Sequence, residues 1–403
     1  MYIVFITILF SFIIHLICYF YVSRKDGYLN ILSFYLLTSL PINFILEPLW
    51  IYYNGLFGSV YSYMYIYVCY AFIIFTITLG YRITIKSFSM KLPFSSFKLF
   101  NSKFYAYFLF SIAFLIYLPV LIEFQDFIFS PREIYIRTRT GYGFNFFISS
   151  FLASLSLICF LFSKRWNKFE LLLFLLILVT FAYLHGSKSQ ILNLFLIVLM
   201  FIVYVRRWRV SIAKFSIIGL IISGFIVTLF YLTVNFKYDN LLRIIVGYSD
   251  YNRNAMLVID SNSDFYFGQI IFESNFYSRI PRTLMPEKPK DFGEFKLAKM
   301  YFPSWFYADT GSPSFGIGVE YADFGYLSIV YLSAWGLLIG SLLNFFVKRL
   351  KKDRTPGDFI MLFFLAGGGL LPLGAGYLIF EHMLLAFIIN LIFCLRIRLI
   401  DKI

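Results

Sequence analysis

Eight basic residues fall in polar connections between long apolar runs: Arg132, Arg137, Arg139, Lys188, Arg253, Arg279, Arg282 and Lys288. The first three belong to Pro131-Arg-Glu-Ile-Tyr-Ile-Arg-Thr-Arg139, and Lys188 to the turn His185-Gly-Ser-Lys-Ser-Gln190. The others belong to one long segment, 235–316. Guanidinium groups present a planar fork of donors that matches a phosphate, so the set points to anion binding. For any single arginine, pairing with Glu133, Glu273 or Glu287 is an equal reading. Two carboxylates, Glu320 and Asp323, stand three apart in Gly316-Ile-Gly-Val-Glu-Tyr-Ala-Asp-Phe-Gly325, on neighbouring positions of one helix face. Partial burial suits such a group to proton transfer. The alternative is a charge that complements a helix N-terminus. Function is favoured for Glu320, and the two readings are even for Asp323. Tyr266, Tyr277, Tyr301, Trp305, Phe306 and Tyr307 offer flat faces to a sugar or anchors to a membrane interface. His15, His185 and His382 are scattered without ligand spacing, so no metal site and no cofactor is expected. His185 could donate to a phosphate or cap its turn.

The elements that must position these residues are membrane spans. Hydrophobic residues make up 60% of the 403-residue chain and charged ones 14%. Soluble domains carry about a quarter charged residues. The apolar runs are long enough to cross a bilayer, and short alternating barrel segments are absent. The expected fold is all-α: a polytopic membrane protein with eleven spans, over 2–22, 29–46, 59–80, 104–122, 144–163, 169–184, 191–205, 211–234, 317–347, 359–373 and 378–395. The first lacks a basic lead and a cleavage site, so it reads as a span and not a signal peptide.

Basic clusters at Arg24-Lys25, Arg82–Lys103, Lys164–Lys168, Arg206–Lys214, Lys348–Arg354 and Arg396–Lys402 each follow an odd-numbered span. The positive-inside bias then puts the N-terminus outside and the C-terminus in the cytoplasm. The net charge of +14 records this topology and does not indicate nucleic-acid binding. The four cysteines lie within apolar runs and read as small buried hydrophobes. The chain reads as a single polytopic domain, 1–403. Its large outer loop, 235–316, holds nine Lys/Arg and nine Asp/Glu, with helical patterns over 241–259, 265–280 and 292–302. These patterns read as amphipathic helices on the membrane surface.

Three stretches resemble the O-antigen polymerase family: Arg279-Ile-Pro-Arg282 with Pro286-Glu-Lys-Pro289; Gly311-Ser-Pro-Ser with Gly318-Val-Glu-Tyr321 and Phe324-Gly325; and the Gly186-Ser-Lys188 turn. Some members carry an Arg, ten residues and a Gly in each of two periplasmic loops. Here Arg132 precedes Gly143, and Arg282 precedes Gly293, at that spacing. The resemblance implies an enzyme of the bacterial inner membrane that builds lipopolysaccharide. It would move a growing glycan from undecaprenyl diphosphate to the non-reducing end of another lipid-linked repeat unit. Arg132, Arg139, Arg279 and Arg282 would bind the diphosphate, helped by Arg137, Lys188, Arg253 and Lys288. Glu320 would be the base, with Asp323, Tyr277 and Trp305 at the glycan. A chain-length regulator and a flippase are the partners so implied. An O-antigen ligase and a lipid-linked oligosaccharide transporter are the alternatives. A transporter should carry ionisable or broken-helix elements near the bilayer midplane.

Overall fold

The computed structural model describes residues 1–83, 103–138, 141–163, 167–208, 249–261, 264–277, 284–308 and 313–366, with Ile280 and isolated residues between 211 and 224. Among these the regular structure is helical, without strands. Five helical runs are long and apolar enough to cross a membrane: α1 (Tyr2–Asp26), α4 (Val60–Arg82), α5 (Lys103–Glu123), α7 (Gly143–Phe162) and the run Gly318–Lys352. The region of the expected second span is one continuous helical run with a π turn inside it. Helix α2 (Ile31–Pro41) passes through a π turn, Ile42–Leu46, into α3 (Glu47–Asn54). Helices α8 (Lys168–Leu184) and α9 (Lys188–Met200) are shorter than the five. The spans expected over 211–234 and 378–395 lie mostly or wholly outside the described residues. The expected span over 359–373 is described only in part, within the helix Pro356–Leu365.

Local chemistry sets the helix starts. Asn30 accepts from the Leu32 and Ser33 N–H groups while Ser33 reaches back to the Asn30 N–H, a reciprocal capping box. Asn167 and Glu170 form a second box at α8. Ser59 caps α4 through the Ser62 N–H.

The described chain forms two compact units. The first comprises the described parts of Met1–Ile85 and Tyr238–Asn344. Here α4 packs on α1 and on the long helix α15 (Ser328–Asp353), which follows α14 (Gly318–Phe324) after one turn of 3₁₀ helix. The α4–α15 approach runs over glycines. A methyl group on Gly340 would meet the Ile77 carbonyl, and one on Gly80 the Leu337 carbonyl. Gly336 and Gly340 form the small-xxx-small pattern that lets membrane helices touch through backbone. Within the large polar segment lie α10 (Asp250–Asp260), α11 (Gln269–Tyr277), α12 (Glu294–Tyr301) and the short α13 (Pro303–Tyr307). Helix α10 buries Ala255, Met256, Val258 and Ile259 and packs against α4 and α14.

The second unit comprises the described parts of Lys86–Lys237 and Phe345–Gly369. It is built on the α5–α7 pair, with α8 and α9 on α7 and the short helices α6 (Pro131–Arg137) and α16 (Pro356–Leu365) alongside. Aromatic rings fill the space between helices, as where Phe160 stacks on Phe174 at 4.7 Å.

Candidate functional site

Glu320 lies in the first turn of α14, 1% exposed, and its Oε2 has no hydrogen-bond partner among the described residues. A buried carboxylate oxygen without a partner carries a desolvation cost that folding alone gives no reason to keep. Helix α14 is held from two sides. Gly318 lies against the Ala255 backbone of α10, leaving no room for a side chain. On the other side, Asp323 caps α11: its two oxygens accept from the Ile270 N–H at 2.9 Å and the Ile271 N–H at 2.8 Å. The backbone joins in, with the Tyr266 and Phe267 N–H groups donating to the Ala322 and Asp323 carbonyls. Asp323 thus caps the N-terminus of a different helix, α11, and not that of its own.

From α11 the connection continues to α12. Glu273 accepts from Lys296 Nζ at 2.7 Å, from the Gly293 N–H at 2.9 Å and from Gln269 Nε2 at 2.6 Å. Burial pushes this carboxyl up, but Lys296, the Gly293 amide and Gln269 together hold it below the usual range. Gly293, at φ +56°, sits so close to Ser274 that no side chain fits. That gives this glycine a structural reason, whereas Gly143 faces open space. Between the helices, Lys288 Nζ donates to the Ile280 carbonyl at 3.1 Å and lies over the Phe292 ring at 4.5 Å. Tyr277 packs on the same Phe292 at 5.5 Å. Trp305 is exposed and packs on Phe302. Arg279 and Arg282 lie outside the described residues, as does Arg139.

Arg253 is buried on α10. Its Nη1 donates to Glu47 Oε2 at 3.2 Å and to Ser249 Oγ at 2.9 Å, and the guanidinium covers the Trp50 ring at 3.8 Å. Tyr63 donates to the other oxygen of Glu47 at 3.3 Å. Burial raises the Glu47 carboxyl, against the hydrogen bond and charge of its partners. One turn earlier, Asn43 Oδ1 accepts from Tyr251 and from Asn252 Nδ2, both at 3.0 Å. The large polar segment is thus tied to α3 and to the π turn by buried polar groups. Glu47 and Asn43, four apart at the end of an apolar run, are the sequence signal for this cluster.

In the second unit, Arg132 and Arg137 are exposed on α6. Arg132 stacks on Tyr135 at 4.7 Å; Arg137 lies over Phe127 at 4.3 Å and pairs loosely with Glu133 at 3.9 Å. The Gly186 turn packs directly on α6: a methyl group there would meet the Pro131 carbonyl. Gly186, at φ +63°, thereby sets the start of α9, where Lys188 stands, beside the helix that carries the two arginines. His185 is fully buried. Its Nδ1 lies 2.9 Å from the Phe181 carbonyl, its Nε2 lies 2.8 Å from Ser149 Oγ, and its ring stacks on Tyr117 at 3.7 Å. It caps the turn and offers nothing to a phosphate.

No family model and no solved structure matches the chain. An O-antigen polymerase of Salmonella typhimurium strain LT2 is 33% identical to it over 368 residues, which is 90% of this chain and 88% of that protein. An O-antigen polymerase of Salmonella typhi is similar to the same extent. The chain belongs to the O-antigen polymerase family. It is a membrane enzyme of lipopolysaccharide biosynthesis, a glycosyltransferase-type polymerase.

Proposed function

We propose that this polymerase transfers the growing glycan from undecaprenyl diphosphate to the non-reducing end of a second lipid-linked repeat unit, on the periplasmic face and without a metal. The acceptor hydroxyl gives its proton to Glu320 as its oxygen bonds to the anomeric carbon. The bond from that carbon to the diphosphate breaks, and the electron pair leaves with the diphosphate. Arg279 and Arg282, with Arg132, Arg137, Arg139, Lys188 and Lys288, stabilise the departing charge. Arg253 and Asp323 contribute through the helices they hold, and Tyr277 and Trp305 through the glycan. The observation that carries this reading is Glu320, buried with one oxygen unpartnered.

In the same reading the chain is one polytopic domain of eleven spans in the inner membrane, N-terminus periplasmic and C-terminus cytoplasmic, with 235–316 as the periplasmic loop. A chain-length regulator and a flippase are its working partners. Kinship with two polymerases favours this over a ligase or a transporter.

Purified protein in nanodiscs should extend lipid-linked repeat units without nucleotide sugar or added metal. Glu320→Gln keeps the shape and removes the base. It should lower chain growth by about a hundredfold or more while melting no lower than wild type, because it removes a buried, unpartnered acid. Full chain growth by Glu320→Gln, or by Arg132→Ala together with Arg282→Ala, would sink the assignment.

A further inference from the structure

Four tyrosines meet around α14, the helix that carries Glu320. Tyr61 and Tyr65 stand one turn apart at the start of α4, Tyr321 follows Glu320 on α14, and Tyr326 lies in the turn before α15. Ring centroids are 5.0 Å apart for Tyr65–Tyr321, 6.0 Å for Tyr61–Tyr326 and Tyr321–Tyr326, and 6.2 Å for Tyr61–Tyr65 and Tyr65–Tyr326. Tyr65 and Tyr321 are buried and form the floor. The Tyr65 hydroxyl is fixed by the Gly325 carbonyl at 3.1 Å and by the Ser328 hydroxyl. Tyr61 and Tyr326 form the rim, 43% and 62% exposed. The Phe265 ring fills the space where a Gly325 side chain would sit, which sets the turn that presents Tyr326.

We propose that the exposed faces of Tyr61 and Tyr326 form a sugar-stacking platform that seats a pyranose ring of the acceptor repeat unit at the end of α14, the helix that carries Glu320. The inference rests on the polymerase reading and supplies its acceptor subsite. Tyrosine suits a sugar face because it offers a large flat apolar ring at little rotamer cost and a hydroxyl that tolerates water. An interfacial belt also uses tyrosine, but to anchor a helix to lipid. Here the rings pack edge to face on a locked floor, as a preformed binding surface does.

The test uses full-length protein in nanodiscs and the lipid-free oligosaccharide repeat unit as probe, read by saturation-transfer NMR. Chain growth is followed in parallel against the concentration of lipid-linked repeat unit. Wild type and Glu320→Gln should both show transfer to the probe. Tyr61→Ala and Tyr326→Ala should lose that transfer and raise the KM for repeat unit about tenfold, with kcat changed far less. Tyr61→Phe and Tyr326→Phe keep the ring and should retain both. Tyr52→Ala, an exposed tyrosine on α3 outside the cluster, should match wild type. The platform is overturned if the folded alanine variants keep probe transfer and KM, if the phenylalanine variants fail equally, or if Tyr52→Ala loses as much. Probe transfer by wild type together with undiminished chain growth by Glu320→Gln would instead overturn the role of Glu320 and leave the platform standing.

Discussion

At the scale of single residues, polar groups in this protein divide by whether their partners are complete. His185 is complete. With Nδ1 donating to the Phe181 carbonyl and Nε2 accepting from Ser149, the neutral ring is satisfied at both nitrogens. Burial holds its pKa down at about 4, against the pull of the Phe181 carbonyl. Between the unfolded value near 6.5 and about 4, the unfolded chain binds a proton that the native chain refuses. Stability from this site is therefore whole above pH 6.5, falls as pH drops toward 4, and levels off below. The fall amounts to about 3 kcal/mol. Thermal melting in detergent from pH 7.5 to 4.5 should show that slope, and His185→Gln should make it shallower. An unchanged slope in the variant counts against the buried neutral ring. Glu320 is the opposite case, incomplete where it is most buried.

At the scale of elements, the order of attachment is α10 to α14, α14 to α11 through Asp323, and α11 to α12 through Glu273. Asp323→Ala removes both acceptors of the α11 cap and should cost about 2 kcal/mol of stability. Asp323→Asn keeps one acceptor and should cost about half as much. Chain growth should follow the same order through kcat, because α14 also carries Glu320; an effect confined to KM would point instead to direct contact with glycan. The long apolar runs behind α1, α4, α5, α7 and α15 were legible in the sequence, because crossing a bilayer leaves an uninterrupted composition signal. The π turn in the second span was less so: it follows Pro41 within an apolar run. Glu320 was legible as an acid in apolar surroundings. Arg253 was not, because its partner Glu47 lies 206 positions away. The tyrosine cluster was hidden by a composition that is 22% aromatic, where no single ring stands out. The cap that Asp323 places on α11 was not legible, because the Ile270 and Ile271 amides lie more than fifty positions away.

At the scale of the whole molecule, the open issue is which face of the membrane Glu320 meets, and one helix can answer it. The run Gly318–Lys352 is apolar and long enough to cross once. It carries Glu320 in its first turn and ends in Lys351 and Lys352, with Lys348 and Arg349 just before. Basic residues at one end of a span favour the cytoplasmic side. The Glu320 end, and with it the segment carrying Leu284, should then face outward. Leu284 is 78% exposed, a position where a substitution disturbs little. In a variant lacking the four native cysteines, Leu284→Cys should react with an impermeant maleimide on intact spheroplasts. Lys352→Cys should react only after the membrane is opened. This pair does not depend on the number of spans elsewhere in the chain, since a single crossing separates the two ends. Labelling of both positions from outside would mean that this run does not cross. Labelling of Lys352→Cys alone would invert the orientation and place Glu320 in the cytoplasm, away from a periplasmic acceptor.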